Sequence, residues 1–372
     1  MTFIDTLNSL DIQTQVSHTL LSTKDKVQTL LRQKTYKIDD LPALLSIAAE
    51  SELEPLAQKA NKLTVQRFGK TMQLFVPMYL SNECYNTCTY CGFSYENKYP
   101  RKTLTDEEIL KEGLILKEKG FQHLLILTGE SPKVVGTDYI VNAIKILKPL
   151  FSSISIEVQP LSEHDYKRVI EAGADGLTIY QETYHRESYK KYHTFGKKKL
   201  FDQRLEAAER GARAGFYRIN IGALLGLHDW RYEAIALANH LHYLTKHHWQ
   251  CKFAVSFPRI TDVIGGFKPS HIISDKALVQ LIIAFRLIFP DIIITLSTRE
   301  PQELRDQLIP MGITQMSAES DTAPGGYSDS GAEEQFDVSD HRSLKEIQDT
   351  LLKKGYEPVM KDWESVITSE HS

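Results

Sequence analysis

Three of the four cysteines fall within one polar stretch, NECYNTCTYCGF (82–93), spaced Cys84-x3-Cys88-x2-Cys91. Cysteine thiolates are metal ligands, and clustered cysteines in a chain without a disulfide framework point to metal or redox work. A structural zinc site normally takes four ligands, so three cysteines need a fourth from elsewhere, and histidines are present. The other arrangement is a [4Fe–4S] cluster held at three irons, the fourth left free to bind and react with a ligand; ordinary electron carriers supply four cysteines. Buried cysteine used only for packing prefers apolar neighbours. Here the neighbours are Asn82, Glu83, Asn86 and Thr87.

The elements that must position this loop are legible in the rest of the 372-residue chain. Hydrophobic residues make up 42% and charged residues 25%, a globular balance, and the formal charge is −4. That charge gives no argument for nucleic acid or an anionic membrane as partner. The start, MTFIDTLNSLDIQTQ, lacks the pattern of a secretory signal. The longest apolar stretch, 278–289, is interrupted by Arg286 and is too short to span a bilayer. With so few cysteines, a reducing cytoplasm is the expected compartment.

Helical spacing of Leu41, Leu44, Leu45, Ile47 and Ala48, and of Leu53, Leu56, Ala60 and Leu63, marks residues 1–70 as an N-terminal helical extension. From Met72 short apolar runs alternate with amphipathic segments. Strands are expected at 73–80, 123–127, 153–158, 176–180, 218–224, 252–257, 292–296 and 314–317. Helices are expected at 105–119, 137–149, 162–172, 199–214, 231–247, 274–288 and 301–308. Thr105 and Glu108 form a capping-box signature and Gly120 a stop. Eight β-then-helix units imply an α/β fold, a (β/α)8 TIM-type barrel over 71–320, with 321–372 as a C-terminal extension. A doubly wound open sheet fits the same alternation. The stretch GGYSDSGAEE (325–334) reads as a flexible acidic loop, followed by a helix near 343–354.

In such a barrel, chemistry sits on the loops after the strands. The cysteine loop follows the first strand. Thr128-Gly129-Glu130, Glu157, Gln181-Glu182-Thr183, Ser256 and Ser297-Thr298-Arg299-Glu300 fall at equivalent places.

The x3-x2 spacing, with Tyr90 before the third cysteine, resembles the signature of radical S-adenosylmethionine enzymes. MYLSNECYNTCTYCGFS, LTGES (127–131), IEVQPL (156–161), YQETYH (180–185), TLSTRE (295–300), SAESDTAPGGYSD (317–329) and EPVMKDWES (357–365) are similar to the aromatic amino acid lyase branch of the biotin-synthase-like members. These blocks span most of the chain. The resemblance implies a [4Fe–4S] cluster on Cys84, Cys88 and Cys91, with S-adenosyl-L-methionine on the open iron. It implies cleavage of the Cα–Cβ bond of L-tyrosine to 2-iminoacetate and p-cresol, with methionine and 5′-deoxyadenosine as co-products. A thiazole synthase would accept the imine, and a low-potential flavodoxin or ferredoxin would supply electrons.

The same resemblance assigns roles by position. Gly129-Glu130 would meet the methionine ammonium, Glu157 and Glu182 the ribose or sulfonium region, and Arg204 the methionine carboxylate. Tyr90 would lie against the cofactor. Arg299 would anchor the substrate carboxylate bidentately, with Ser297 adding a hydrogen bond. No residue stands out for the phenol hydroxyl.

Other signals read as bland. Cys251 is expected to be a buried small hydrophobe. His240, His242, His247 and His248 read as a solvated set, and the basic run GKKKLFDQR (196–204) as an exposed face. A tryptophan lyase, or a non-catalytic iron–sulfur or zinc scaffold, remains open. A carbon monoxide- and cyanide-forming tyrosine lyase would need a second cluster, and no cysteine follows Cys251.

Overall fold

The computed structural model describes residues 2–260 and 266–360. The stretch EPVMKDWES therefore lies partly outside the described residues.

Eight parallel strands form the frame: β1 (Thr71–Ser81), β2 (His123–Thr128), β3 (Ser153–Glu157), β4 (Gly176–Glu182), β5 (Arg218–Ala223), β6 (Lys252–Ser256), β7 (Ile293–Leu296) and β8 (Gln315–Ser317). Each pairs with its neighbour in sequence. β8 then pairs back onto β1 through Gln73–Gln315, Leu74–Met316 and Phe75–Ser317. The sheet is thus a closed barrel, and the open doubly wound alternative is excluded. Strands covered on both faces are buried along their length and mostly apolar; all six residues of β5 are buried, Arg218 and Asn220 included.

Helices return the chain between strands. Thr105 Oγ1 accepts the Glu108 N–H at 3.3 Å while the Glu108 carboxylate accepts the Thr105 N–H at 2.8 Å, the capping box expected at helix Asp106–Glu118. The region expected as one helix at 199–214 breaks at Glu206 into Phe201–Leu205 and Ala207–Ala214. The N-terminal helices pack on the outside of the barrel helices. Gln280 fixes part of this contact by donating to the Leu44 and Ser46 carbonyls, both at 2.8 Å.

Two features lie beyond the reach of sequence periodicity. A short strand, β9 (Glu357–Val359), adds to the start of β1 in parallel. The expected free acidic loop is instead a packed strap across the barrel mouth. Tyr327 donates its hydroxyl to the Pro77 carbonyl at 2.7 Å. Gly92 N–H donates to Gln335 O at 3.2 Å, and Ser339 N–H to Thr298 O at 2.9 Å. Buried Asp340 holds the strap's far end through Arg305 and Arg342. An aromatic hydroxyl and backbone donors seat the strap; its acidic residues mostly face outward.

Candidate active site at the barrel mouth

The cysteine loop leaves β1 and is stapled in place by polar contacts. Arg101 donates to four carbonyls: Asn82 at 2.8 Å, Phe93 at 3.0 Å, Ser94 at 2.7 Å and Asn97 at 3.0 Å. Gly129 lies so close that a Cβ there would sit 2.2 Å from the Glu83 carbonyl oxygen. Only glycine allows that approach. Thr87 and Cys88 form a two-residue antiparallel ladder with His193 and Phe195.

Cys88 is buried and Cys84 and Cys91 are half-buried. Burial pushes all three thiols up, Cys84 to about 11. They are therefore neutral until a cationic centre displaces their protons, as metal ligation requires. Polar groups are already aimed at the sulfurs: Asn86 Nδ2 lies 3.9 Å from Cys84 Sγ and Gln335 Nε2 lies 3.8 Å from Cys91 Sγ. Among the described residues, no three His, Cys, Asp or Glu side chains converge as a single-ion cage. Soft sulfur donors, a backbone cradle and amides turned to the sulfurs fit an iron–sulfur cluster.

The loop opens on a cavity of about 1240 Å³, solvent-open mouth included. Tyr90, Cys91, Glu157, Glu182, Ser297 and Arg299 all line it. The sequence places these at or just after strand ends, and closure of the barrel brings them together. Tyr90 is buried, its hydroxyl 2.7 Å from His193 Nε2. Arg299 is half-buried, with its guanidinium 3.3 Å from the ring centre of Phe336 on the strap. The Ser297 hydroxyl accepts the Arg299 backbone N–H at 3.4 Å. Burial lowers the Arg299 guanidinium's affinity for its proton, opposed by Tyr79 and Glu157.

A network of charges runs from Glu182 and Lys198 on the cavity wall to Arg204 and Glu130 behind it. Arg204 donates to Glu130 at 2.7 Å and to the Tyr180 carbonyl at 2.6 Å, and lies 3.5 Å from Glu182. Lys198 donates to Glu182 at 2.7 Å and lies 4.0 Å from Glu130. Asn86 also donates to Glu130, at 2.9 Å. Burial alone would raise both carboxyls, but Arg204 and Lys198 outweigh it, and both are held below the usual range. Glu157 differs. Burial, with Glu182 nearby, pushes it up to about 7.

Lys198 and Arg204 correct the reading of 196–204 as an exposed face. Lys197 and Lys199 are exposed, but Lys198 turns inward and lines the cavity, and Arg204 is buried. In the sequence Arg204 falls on an i, i+3, i+4, i+7 stripe with Phe201, Leu205 and Ala208, all buried, a spacing that could have revealed it. With both guanidinium ends engaged, Arg204 is a clamp on Glu130 and Glu182. Removing one partner from such a buried set leaves an uncompensated charge, costing about 3–5 kcal/mol. Lys198→Ala is accordingly expected to lower unfolding free energy by about 3 kcal/mol in denaturant titration, and Glu182→Gln added to it to recover most of the loss.

The histidine set is corrected as well. His240 is buried, its Nδ1 2.8 Å from the Tyr184 hydroxyl and its ring stacked on Phe3 at 4.1 Å. His248 is buried too, 3.6 Å from Glu209. Cys251 is the expected buried hydrophobe, with Sγ 3.2 Å from the Phe216 carbonyl.

One functional support escaped sequence reasoning altogether. Glu233 is fully buried and accepts from the Thr183 hydroxyl and from Tyr184 N–H at 2.8 Å. It thereby fixes the turn that follows Glu182, whose backbone is left-handed at φ 69, a conformation uncommon outside glycine. Burial pushes the Glu233 carboxyl up to about 7. A carboxyl with its folded value above its unfolded one destabilises the fold as pH rises between the two. Glu233→Gln removes that slope. Its unfolding free energy relative to the parent is expected to rise by roughly 2–3 kcal/mol from pH 5 to pH 8; parallel curves in denaturant titrations would contradict this.

A closed barrel with three cysteines on the loop after its first strand, Cys91 on the cavity wall, fits a radical S-adenosylmethionine protein. The Radical SAM superfamily pattern matches residues 78–238, and the Biotin and Thiamin Synthesis associated domain matches 256–357. The 2-iminoacetate synthase of Escherichia coli (strain K12) is 46% identical over 343 residues, 92% of this chain and 91% of that protein. That of Salmonella typhimurium is 47% identical over 329 residues, 88% and 87% of the two chains. The crystal structure of HydG, a maturase of the [FeFe]-hydrogenase, superposes with a TM-score of 0.93 at 30% identity, over 98% of this chain and 82% of that one. The chain belongs to the 2-iminoacetate synthase family of the radical SAM superfamily.

Proposed function

We propose that this protein is a radical S-adenosylmethionine lyase that cleaves the Cα–Cβ bond of L-tyrosine. The products are 2-iminoacetate and p-cresol, with methionine and 5′-deoxyadenosine as co-products, and the imine feeds thiazole formation in thiamine biosynthesis. The carrying observation is likeness to 2-iminoacetate synthases over nine-tenths of the chain, in a structure where the cysteine loop and Arg299 face one cavity.

When bound, the cluster and S-adenosylmethionine together supply a one-electron cleavage that yields methionine and a carbon-centred 5′-deoxyadenosyl radical. Cys84, Cys88 and Cys91 would hold the cluster. Glu130, clamped by Arg204 and Asn86, and the Gly129 backbone would receive the methionine ammonium. Glu182, fixed by Lys198, and Glu157 would take the ribose or sulfonium side. Arg299 would anchor the tyrosine carboxylate, its guanidinium backed by Phe336 at 3.3 Å, with Ser297 at the same edge. Phe75, Leu125, Phe257 and Ile282 give the cavity an apolar wall suited to an aromatic ring. The strap narrows access of water to a reactive imine.

A thiazole synthase is the proposed acceptor of that imine, and a low-potential flavodoxin or ferredoxin the proposed reductant. The cysteine content supports a cytoplasmic setting. No helix among the described residues is long and apolar enough to cross a membrane. The test is anaerobic incubation of the reconstituted protein with S-adenosylmethionine, dithionite and either tyrosine or tryptophan. Tyrosine is expected to give p-cresol, methionine and 5′-deoxyadenosine; turnover of tryptophan alone would transfer the chain to a different lyase.

A further inference from the structure

The cleavage proposed above consumes an electron that must come from outside the cavity. Beside the cysteine loop, the surface carries three large aromatic side chains turned to solvent. Tyr85 is 52% exposed, Tyr95 50% and Phe195 46%. They form one platform: Tyr85 lies 5.2 Å from Phe195 and 6.0 Å from Tyr95, ring centre to ring centre. Tyr85 directly follows Cys84, and Phe195 is on the strand paired with Thr87–Cys88. The platform is thus built on the cluster loop itself.

It is also rigidly mounted. The Thr87 and Thr194 hydroxyls meet at 2.5 Å, and Lys198 N–H donates to Asn86 Oδ1 at 3.0 Å. Gly196, at φ +87, packs so closely on Asn86 that a Cβ would lie 2.1 Å from its Oδ1. Exposed aromatic patches that packing does not require mark interaction sites. Here exposed lysines accompany the patch: Lys197 and Lys199 follow Phe195, and Lys98 sits 4.7 Å above the Tyr95 ring. Exposed Glu96 and half-buried Glu83 are opposing charges on the same loop.

We infer that Tyr85, Tyr95 and Phe195, with Lys98, Lys197 and Lys199, form the docking surface for a small acidic protein that carries a low-potential flavin. This inference rests on the proposed function. The lysines match an acidic partner, and the aromatic platform matches the apolar edge of an isoalloxazine ring. The anionic flavin hydroquinone gives up one electron and becomes the neutral semiquinone, with no proton transferred. The electron enters the cluster held by the three cysteines, lowering its core from the 2+ to the 1+ state. Redox contacts of this kind are small and transient, and their encounter is steered by charge.

The test uses the reconstituted holoenzyme and a flavodoxin as probe. Binding is measured by calorimetry at low and high salt for the parent, for Tyr95→Ala and for the double variant Lys197→Glu, Lys199→Glu. Each variant is expected to weaken binding about tenfold, and charge reversal to remove most of the salt dependence. Dithionite-driven p-cresol formation is expected to stay at the parental rate. Unchanged flavodoxin affinity in both variants overturns the docking surface, as does a parallel fall of the dithionite-driven rate. A ferredoxin that binds the same parent more tightly overturns the choice of a flavin carrier. A parent protein that makes no p-cresol with dithionite sinks the proposed function, and the calorimetry still judges the surface.

Discussion

Replacing Cys88 by alanine is expected to abolish formation of 5′-deoxyadenosine, with or without tyrosine. Cys88 is the most buried of the three thiols and sits in the ladder with His193 and Phe195. The loop backbone is fixed by Arg101, by the ladder and by Gly129, so it does not depend on the thiol for its shape. Removing the sulfur therefore leaves the cradle standing and takes away one of the three proposed anchors. Iron content of the reconstituted variant is expected to fall sharply while its far-UV circular dichroism stays parental. Retention of full 5′-deoxyadenosine formation would remove Cys88 from the ligand set.

Arg299→Ala has the second large effect, and of a different kind. The guanidinium lies 3.3 Å from the ring centre of Phe336 on the strap. Truncating one partner of a desolvated charge pair costs about 2–5 kcal/mol. A loss of roughly 100-fold or more in kcat/KM for tyrosine follows, with parental iron content and parental binding of S-adenosylmethionine. Arg299→Lys is expected to recover only part of it, because an ammonium does not offer a planar fork. Tyrosine turnover equal to the parent's in the alanine variant would take Arg299 out of the anchor role. Loss of iron in step with activity would reassign it to support of the cluster.

Much of this site is legible in the amino-acid sequence. The eight strands are visible as apolar runs because a barrel strand is covered on both faces, and the polar residues at their ends stand out against that background. Sequence does not show closure, which depends on Gln73–Phe75 meeting Gln315–Ser317 across most of the chain. Lys198 is hidden inside a run of lysines. Its inward turn comes from a short 3-10 helix after left-handed Gly196, and charge patterning carries no trace of that. His240 is masked by its polar neighbours, although Glu233, Leu237 and Leu244 share its buried helical face. Phe336 and Gln335 are unreadable because residues 331–340 of the strap form no helix or strand and so have no period. Its position is set by single contacts such as Tyr327 on Pro77.

The most direct test of the account is electron paramagnetic resonance of the reduced, reconstituted protein before and after S-adenosylmethionine is added. With Cys84, Cys88 and Cys91 as the proposed ligands, one iron of the cluster is left to the cofactor, so the signal of the reduced cluster is expected to shift in its g-values on addition. Cys84→Ala, Cys88→Ala and Cys91→Ala are each expected to lose the signal. An unchanged spectrum from a cluster already saturated by protein ligands would contradict the account at its base.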